Sequence, residues 1–127
     1  MELSVVERMV LITAMNAYGS KVGNITTLLI QRDLMDDIGF NEEELALLNF
    51  KNEDEGLTTW DNNDKVVKTI KVGPKGMEII KSILTTMNKE DKLTYDYLSL
   101  WQKMFGELPE VSDEPVEKEE SDGKKDS

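Results

Sequence analysis

Two clusters of carboxylates contain side chains of the type that can ligate a metal ion. Asp33, Asp36 and Asp37 are spaced i, i+3 and i+4, which places them on one face of a helix. Glu42–Glu44 follow closely. Carboxylate oxygens are the ligands that Mg²⁺ and Ca²⁺ prefer in proteins. The spacing matches no calcium-binding loop, however, so we interpret the aspartates as a solvated acidic face.

Two further segments match a functional motif only in part. DNNDK, residues 61–65, resembles the start of a calcium-binding loop but lacks the rest of that pattern, and it is typical of a turn. VGPKGM, residues 72–77, contains two glycines but matches neither phosphate-binding nor dinucleotide-binding loops. Neither segment predicts a ligand.

Cysteine and histidine are absent from the 127 residues. Their absence excludes disulfides, thiolate or imidazole zinc sites, cysteine nucleophiles and Ser-His catalysis. Acid–base catalysis would need carboxylates, lysines or tyrosines with shifted pKa values, and no motif arranges such groups. The sequence therefore predicts a protein that is not an enzyme, with no catalytic residue, no cofactor and no metal site.

The charge of the chain is strongly negative and unevenly distributed. The net charge is −11, and residues 107–127 contain nine acidic residues and three lysines. Such a chain repels nucleic acid overall, because affinity for phosphate depends on clustered lysine and arginine. The charge favours a protein partner with a basic surface.

A cluster of lysines supports an alternative function. It begins just after Trp60 and extends through a predicted strand into the following helix. Lysines beside an aromatic ring could bind single-stranded nucleic acid, although lysines on an exposed strand also prevent edge-to-edge association. The alternative is therefore a nucleic-acid-binding regulator that binds through the lysines between Lys65 and Lys81, which we call the Lys65–Lys81 face. Its candidate residues are Lys65, Lys68, Lys71 and Lys75.

Five helices and one β-hairpin are predicted, which gives a mostly helical α+β fold. The helices are predicted at about residues 5–17, 25–37, 42–50, 75–87 and 95–105. The residues expected to cap their N-termini are Ser4, Asn24, Asn41 and Thr94. Gly39 and Gly106 are predicted to end helices, Gly39 in the left-handed conformation. The hairpin is predicted to pair Leu57–Trp60 with Val66–Val72.

This order of elements resembles that of a winged-helix domain. In such a domain the third helix enters the major groove and presents polar or basic residues to the bases. Here the third helix begins with Glu42–Glu44 and contains no basic residue. Acidic residues in a first turn interact favourably with the helix dipole. We therefore predict a winged-helix-like fold whose third helix has an acidic surface and does not read DNA.

Acidic and aromatic residues are the candidates for contact with a protein partner. An exposed apolar surface on the last helix would favour a partner groove or a homodimer formed through helical faces. The candidate partner-binding residues are Glu42, Glu43, Glu44, Trp60, Tyr97 and Trp101.

The chain is predicted to form a single domain, residues 1–106, followed by a disordered acidic tail, residues 107–127. The tail contains two of the three prolines and no aromatic residue, so it has little apolar surface to bury. No apolar run is long enough to cross a membrane, and the N-terminus lacks the features of a signal peptide. A cytoplasmic location is therefore predicted.

Residues from about Val5 to Phe105 resemble a group of small uncharacterised proteins encoded by tailed bacteriophages. The similar segments are VVERMVLITAM, GNITTLLIQRDL, IGFNEEEL, TTWDN, KTIKVGPKGMEIIKSIL and NKEDKLTYDYLSLWQKM. The group has no assigned activity. The resemblance implies an accessory protein that acts in a bacterial cytoplasm, and it assigns no functional residue.

Overall fold

A computed structural model of the protein describes residues 1–53, 56–61 and 66–110. The helices are α1 (Val5–Tyr18), α2 (Ile25–Ile38), α3 (Glu42–Leu48), α4 (Pro74–Lys89) and α5 (Leu98–Phe105), with a 3₁₀ turn (Tyr95–Tyr97) before α5. The strands are β1 (Glu2–Leu3), β2 (Lys51–Asn52), β3 (Thr58–Thr59) and β4 (Lys68–Thr69). Among the described residues, the predicted order of three helices, a hairpin and two further helices is confirmed. Most of the predicted tail, residues 111–127, lies outside the described residues.

The predicted pairing of the hairpin strands is wrong. β3 pairs antiparallel with β2, with Thr59 opposite Lys51. β4 pairs antiparallel with β1, with Leu3 opposite Lys68. Gly56, which lies between β2 and β3, has a φ of 77°, a left-handed conformation that suits glycine. Because β3 pairs with β2, β4 is left to pair with the N-terminal strand.

Side-chain caps fix the starts of the first three helices. Ser4 caps α1, as predicted, and it forms a reciprocal capping box with Glu7. Asn24 and Asn41 accept hydrogen bonds from first-turn amides of α2 and α3 at 2.8 Å. Thr94 makes no such bond, and a 3₁₀ turn follows it. These caps satisfy amide groups that a helix start otherwise leaves without partners.

The two glycines predicted to end helices behave differently. Gly106 ends α5 with a φ of 87°, in the left-handed conformation. Gly39 ends α2 but is extended, with a φ of −62°, so the predicted left-handed stop is wrong. The reason is a buried side chain, Arg8, which binds the carbonyl oxygens of Ile38 and Gly39. A left-handed turn is not needed to satisfy these carbonyl groups.

Among the described residues, the hydrophobic core has two parts. In the larger part, α1 packs against α2, α4 and the 3₁₀ turn, while α5 packs on α4. The smaller part lies between the start of α1 and the α3–hairpin region. Its members are Val5, Met9, Phe40, Leu48, Phe50, Trp60 and Val66. The smaller cluster therefore anchors α3 and the hairpin to the helical body.

Helices α2 and α4 approach closely at Gly76. A Cβ atom at this buried position would lie 2.9 Å from Val72 Cγ1 and 3.4 Å from Leu34 Cδ1. The first distance is too short for a Cβ atom, and the second is at the lower limit of ordinary van der Waals contact. The absence of a side chain at residue 76 therefore leaves room for Val72, just before α4, and for Leu34 of α2 to pack against α4.

Candidate interaction surfaces

A buried arginine connects three helices. Arg8, on α1, is 0% exposed. Its Nε donates to the carbonyl oxygen of Ile38 at 2.9 Å, and its Nη2 donates to that of Gly39 at 2.5 Å. Nη1 and Nη2 also donate to the two carboxylate oxygens of Glu44 at 2.7 and 2.9 Å. The guanidinium carbon lies 4.0 Å from the centre of the Phe40 ring.

These contacts place opposite charges at two helix ends. The last turn of α2 contains no basic residue of its own, so Arg8 supplies a positive charge beside its C-terminus. Glu44 lies in the first turn of α3, where a negative charge is favourable. Hydrogen bonds from Arg8 hold the pKa of Glu44 below its usual range. The arginine therefore fixes the turn between α2 and α3.

Sequence reasoning did not identify Arg8. The sequence did contain a signal for it, since Arg8 is a cation within a mostly apolar helix. A charge that such a helix buries requires a partner, which points to an internal contact. Glu44 was predicted to contact a partner molecule. Its carboxylate is instead bonded to Arg8 inside the protein, and 17% of the side chain remains exposed.

The opposite side of α3 faces solvent. Glu44 and Leu48 are spaced i, i+4 and point inward, which turns the remaining residues outward. The first turn exposes two carboxylates and the second turn exposes apolar side chains. We call this outward face the α3 surface. It consists of Glu42, Glu43, Leu45, Ala46 and Leu47.

Trp60 supports the hairpin behind α3. Its ring centre lies 5.8 Å from that of Phe50, and the indole packs on the smaller core cluster. The buried Nε1 of Trp60 makes no hydrogen bond to any residue in the described part of the chain. Trp60, predicted to contact a partner, therefore contributes mainly to internal packing.

The predicted lysine face is only partly described. Lys65 lies outside the described residues. Lys68, on β4, is half-buried, and its charge lowers the pKa of Glu44 further. The Lys68 ammonium group is therefore close enough to Glu44 to interact with its carboxylate electrostatically.

The next two lysines adjoin acidic side chains. Lys71 and Lys75 line an open cleft of about 330 Å³ together with Asp33 and Asp37 of α2. Lys75 also lies 4.0 Å from a carboxylate oxygen of Glu78. The aspartates reduce the positive potential that a phosphate group would meet at this face.

Two of the predicted contact residues lie together at the opposite end of α4. Tyr97 is 5% exposed, and its hydroxyl group donates to the carbonyl oxygen of Val10 at 3.1 Å. Burial raises the pKa of the Tyr97 phenol. Trp101 is half-buried, with its ring centre 4.3 Å from that of Phe105. Tyr97 was predicted to contact a partner, but its side chain packs in the core, whereas Trp101 reaches the surface.

An open groove of about 200 Å³ lies beside Trp101. We call it the Trp101 groove. Its apolar walls are formed by Leu93, Tyr97, Leu98, Trp101, Leu108 and Pro109. The last two residues follow the predicted domain boundary at residue 106, so the chain contributes to this surface beyond α5.

Comparison of the chain with protein-family models, with curated proteins and with solved structures gave no match. Within residues 1–53, 56–61 and 66–110, no helix has the length and apolar character needed to cross a membrane. In the same residues, no group of three or more acidic side chains is arranged to hold a metal ion. The functional interpretation therefore rests on the two surfaces.

Proposed function

We propose that this protein is a non-enzymatic accessory factor that binds another protein through the α3 surface. The observation that carries the proposal is the composition of that surface. In the position where a winged-helix protein presents its DNA-reading helix, α3 exposes two glutamates followed by a turn of apolar residues. Following the resemblance to phage-encoded proteins, we propose a host or phage protein in the bacterial cytoplasm as the partner.

The α3 surface has the physical properties of a protein contact. Its apolar second turn offers area that is favourable to bury, and its acidic first turn attracts a basic partner and sets orientation. A seven-residue helix is too short to be stable in isolation. Arg8 and Leu48 hold it in place, so little ordering entropy is lost when a partner binds.

The proposal can be tested by capturing partners from nuclease-treated bacterial lysate with the full chain. We expect Glu42→Lys with Glu43→Lys to reduce capture of a specific protein at least about tenfold, which corresponds to about 1.4 kcal/mol. The matched control is Asp36→Lys with Glu78→Lys, which makes the same charge change at exposed positions of α2 and α4. Equal capture by both double variants would contradict the role of the α3 surface.

The nucleic-acid-binding alternative makes the opposite predictions. Under that alternative, nuclease treatment removes the captured material, and Lys68→Glu with Lys71→Glu abolishes binding to DNA or RNA at low salt. The acidic residues beside Lys71 and Lys75 favour the protein-binding function.

A further inference from the structure

A cleft between the end of α1 and α2 is lined by two basic residues. Its volume is about 240 Å³, and we call it the α1–α2 cleft. None of its lining residues is acidic, and residues 9–32 contain two basic residues and no acidic one, in a chain of net charge −11. The cleft is therefore a locally basic surface on an acidic protein. Its lining residues are Met15, Gly19, Ser20, Lys21, Leu28, Gln31, Arg32 and Met35.

Hydrogen bonds hold the connection between α1 and α2 in place at this cleft. The side-chain amide of Gln31 accepts from the Ser20 N–H at 2.8 Å and donates to the Ser20 carbonyl oxygen at 2.9 Å. The Lys21 ammonium group donates to the carbonyl oxygen of Asn16 at 2.9 Å, and an ammonium group has three N–H donors. The cleft thus has a fixed shape before a partner binds, which reduces the ordering entropy lost on binding.

The second cation of the cleft lies on a face of α2 that also exposes apolar side chains. Arg32 pairs with its neighbour Asp33 at 3.1 Å, but both side chains are largely exposed, and such pairs contribute little. Ile25, Leu29 and Arg32 are spaced i, i+4 and i+7, which places them on one face of the helix. Ile25 is 69% exposed, and Val22, in the preceding connection, is 89% exposed. A partner that matches this region therefore offers both acidic and apolar side chains.

The α3 surface has this combination of side chains. Its first turn exposes Glu42 and Glu43, and Leu45 in the following turn is 45% exposed. Arg8 and Leu48 hold α3 against its own chain with this surface facing outward. A second copy of the chain is therefore needed to bring an α3 surface to the cleft.

The acidic C-terminal segment of the chain matches the cleft less well. Residues 111–127 contain seven acidic residues, but their only aliphatic side chains are two valines. They offer charge with little apolar area to bury. The α3 surface offers both, and electrostatic complementarity with the two cations fixes its orientation. Repulsion between two chains of net charge −11 opposes the contact, so we expect it to form at high protein concentration.

We propose that the α1–α2 cleft of one copy binds the α3 surface of a second copy. Glu42 and Glu43 pair with the two basic side chains of the cleft, and Leu45 packs on the exposed apolar side chains of α2. This inference rests on the proposed function, because it uses the same α3 surface. It adds a form of regulation, since associated copies have covered α3 surfaces and a partner that binds more tightly displaces the second copy.

Sedimentation equilibrium of the full chain, from about 10 μM to about 1 mM, tests the self-association. We expect the average molar mass to increase with concentration, and Lys21→Glu with Arg32→Glu to weaken self-association at least about tenfold. The matched control is Lys89→Glu with Lys92→Glu, which makes the same charge change at exposed positions outside both surfaces. A monomer at every concentration, or equal weakening by the control, would overturn the proposal.

Reversing the charges of both surfaces gives the sharper test. Glu42→Lys with Glu43→Lys makes the chain less negative, so overall repulsion alone would predict stronger self-association. We expect this variant instead to self-associate at least about tenfold more weakly. Combining it with Lys21→Glu and Arg32→Glu restores the net charge of −11 and should recover self-association to within about threefold of the unaltered protein. Failure of the combined variant to recover would overturn the pairing of the two surfaces.

Amide NMR at increasing protein concentration locates the contact. We expect shifts at the residues of the α1–α2 cleft and of the α3 surface. Shifts confined to the Trp101 groove would overturn the proposal.

Failure of this inference is distinguishable from failure of the proposed function. If the protein stays monomeric while Glu42→Lys with Glu43→Lys still reduces lysate capture relative to its control, the self-association is overturned and the proposed function stands. If self-association follows the charge reversals while lysate capture does not respond to the α3 variant, the proposed function is overturned and the self-association stands.

Discussion

Arg8 shows how a single buried side chain can determine the position of a surface helix. Four of its five N–H groups donate to Ile38, Gly39 and Glu44. Leaving a buried charge without its partner costs far more than the intact pair contributes on balance. The ion pair therefore acts mainly by making other arrangements of α2 and α3 unfavourable.

A matched pair of substitutions tests this role. Glu44→Gln keeps the size of the side chain and its ability to cap α3, but it removes the charge that balances Arg8. We expect the free energy of unfolding to fall by about 3 kcal/mol, the lower end of the range for broken buried pairs, because Glu44 is partly exposed. Glu43→Gln, on the exposed side of the same turn, is expected to change it by less than about 0.5 kcal/mol. Urea denaturation of both variants measures the difference, and equal effects would contradict the assigned role of Arg8.

A second buried carboxylate makes stability depend on pH. Burial by itself raises the pKa of Glu7, but hydrogen bonds from the Lys103 ammonium group and the Ser4 amide outweigh this effect and lower it. Lys103 Nζ lies 2.7 Å from Glu7 Oε1, which connects α5 to the start of α1. The pKa of Glu44 is lowered as well.

The sign of the pH effect follows from these lowered pKa values. Above the unfolded-state pKa of about 4.5, both carboxylates contribute their full stabilisation. As the pH falls below that value, the unfolded chain binds protons first, so the free energy of unfolding decreases until the folded carboxylates are protonated. The urea midpoint should therefore fall as the pH is lowered from 7 to 3. The double variant Glu7→Gln with Glu44→Gln should show a smaller decrease. If its pH profile were identical to that of the unaltered protein, neither carboxylate would be the source of the pH dependence.

Local interactions of these residues could be predicted from sequence, but distant ones could not. The capping box joins residues three positions apart, so its pattern is readable in the chain. Arg8 binds Glu44 across 36 positions, and Lys103 binds Glu7 across 96. No periodicity connects such pairs. For this reason the sequence indicated that the third helix is acidic but did not show which of its carboxylates points inward.

At the scale of elements, helices were easier to predict than strand partners. The helix predicted at residues 75–87 is observed as Pro74–Lys89, because a stripe of apolar residues and an N-terminal proline mark its extent. The two-residue strands β3 and β4 were both recognised as extended, but their pairing depends on competition with β1 and β2. The residue types of a segment indicate that it can form a strand, but they do not determine which other strand it pairs with.

The close approach of α2 and α4 gives a prediction at this scale. Gly76→Leu would place a Cβ atom 2.9 Å from Val72 Cγ1 and the rest of a large side chain against Leu34, which already lies at contact distance from that Cβ atom. We expect the two helices to be forced apart and the free energy of unfolding to fall by about 1–3 kcal/mol. Ser82→Leu, at an exposed position of the same helix, is the control and should change it by less than about 0.5 kcal/mol. Thermal or urea denaturation distinguishes the two variants, and similar stabilities would show that the interface adjusts without strain.

The net charge of −11 acts on the whole molecule in two opposite ways. Repulsion among the acidic residues opposes the folded state, because folding brings like charges closer together. The same charge attracts a basic partner. Added salt screens both interactions over distances of about 10 Å at 0.1 M ionic strength. The buried Arg8–Glu44 pair is much less accessible to salt, so its contribution to stability should change little.

Salt should therefore raise the stability of the protein while weakening its binding to a partner. Between 50 and 500 mM NaCl, we expect the urea midpoint of the free protein to increase, since self-repulsion is screened. Over the same range, association with the captured partner should slow and its affinity should fall, because electrostatic attraction accelerates encounter. Glu42→Lys with Glu43→Lys should flatten the salt dependence of binding more than the control Asp36→Lys with Glu78→Lys, although both carry the same net charge. If the two variants flattened it equally, the total charge of the chain, and not the α3 surface, would be the source of the attraction.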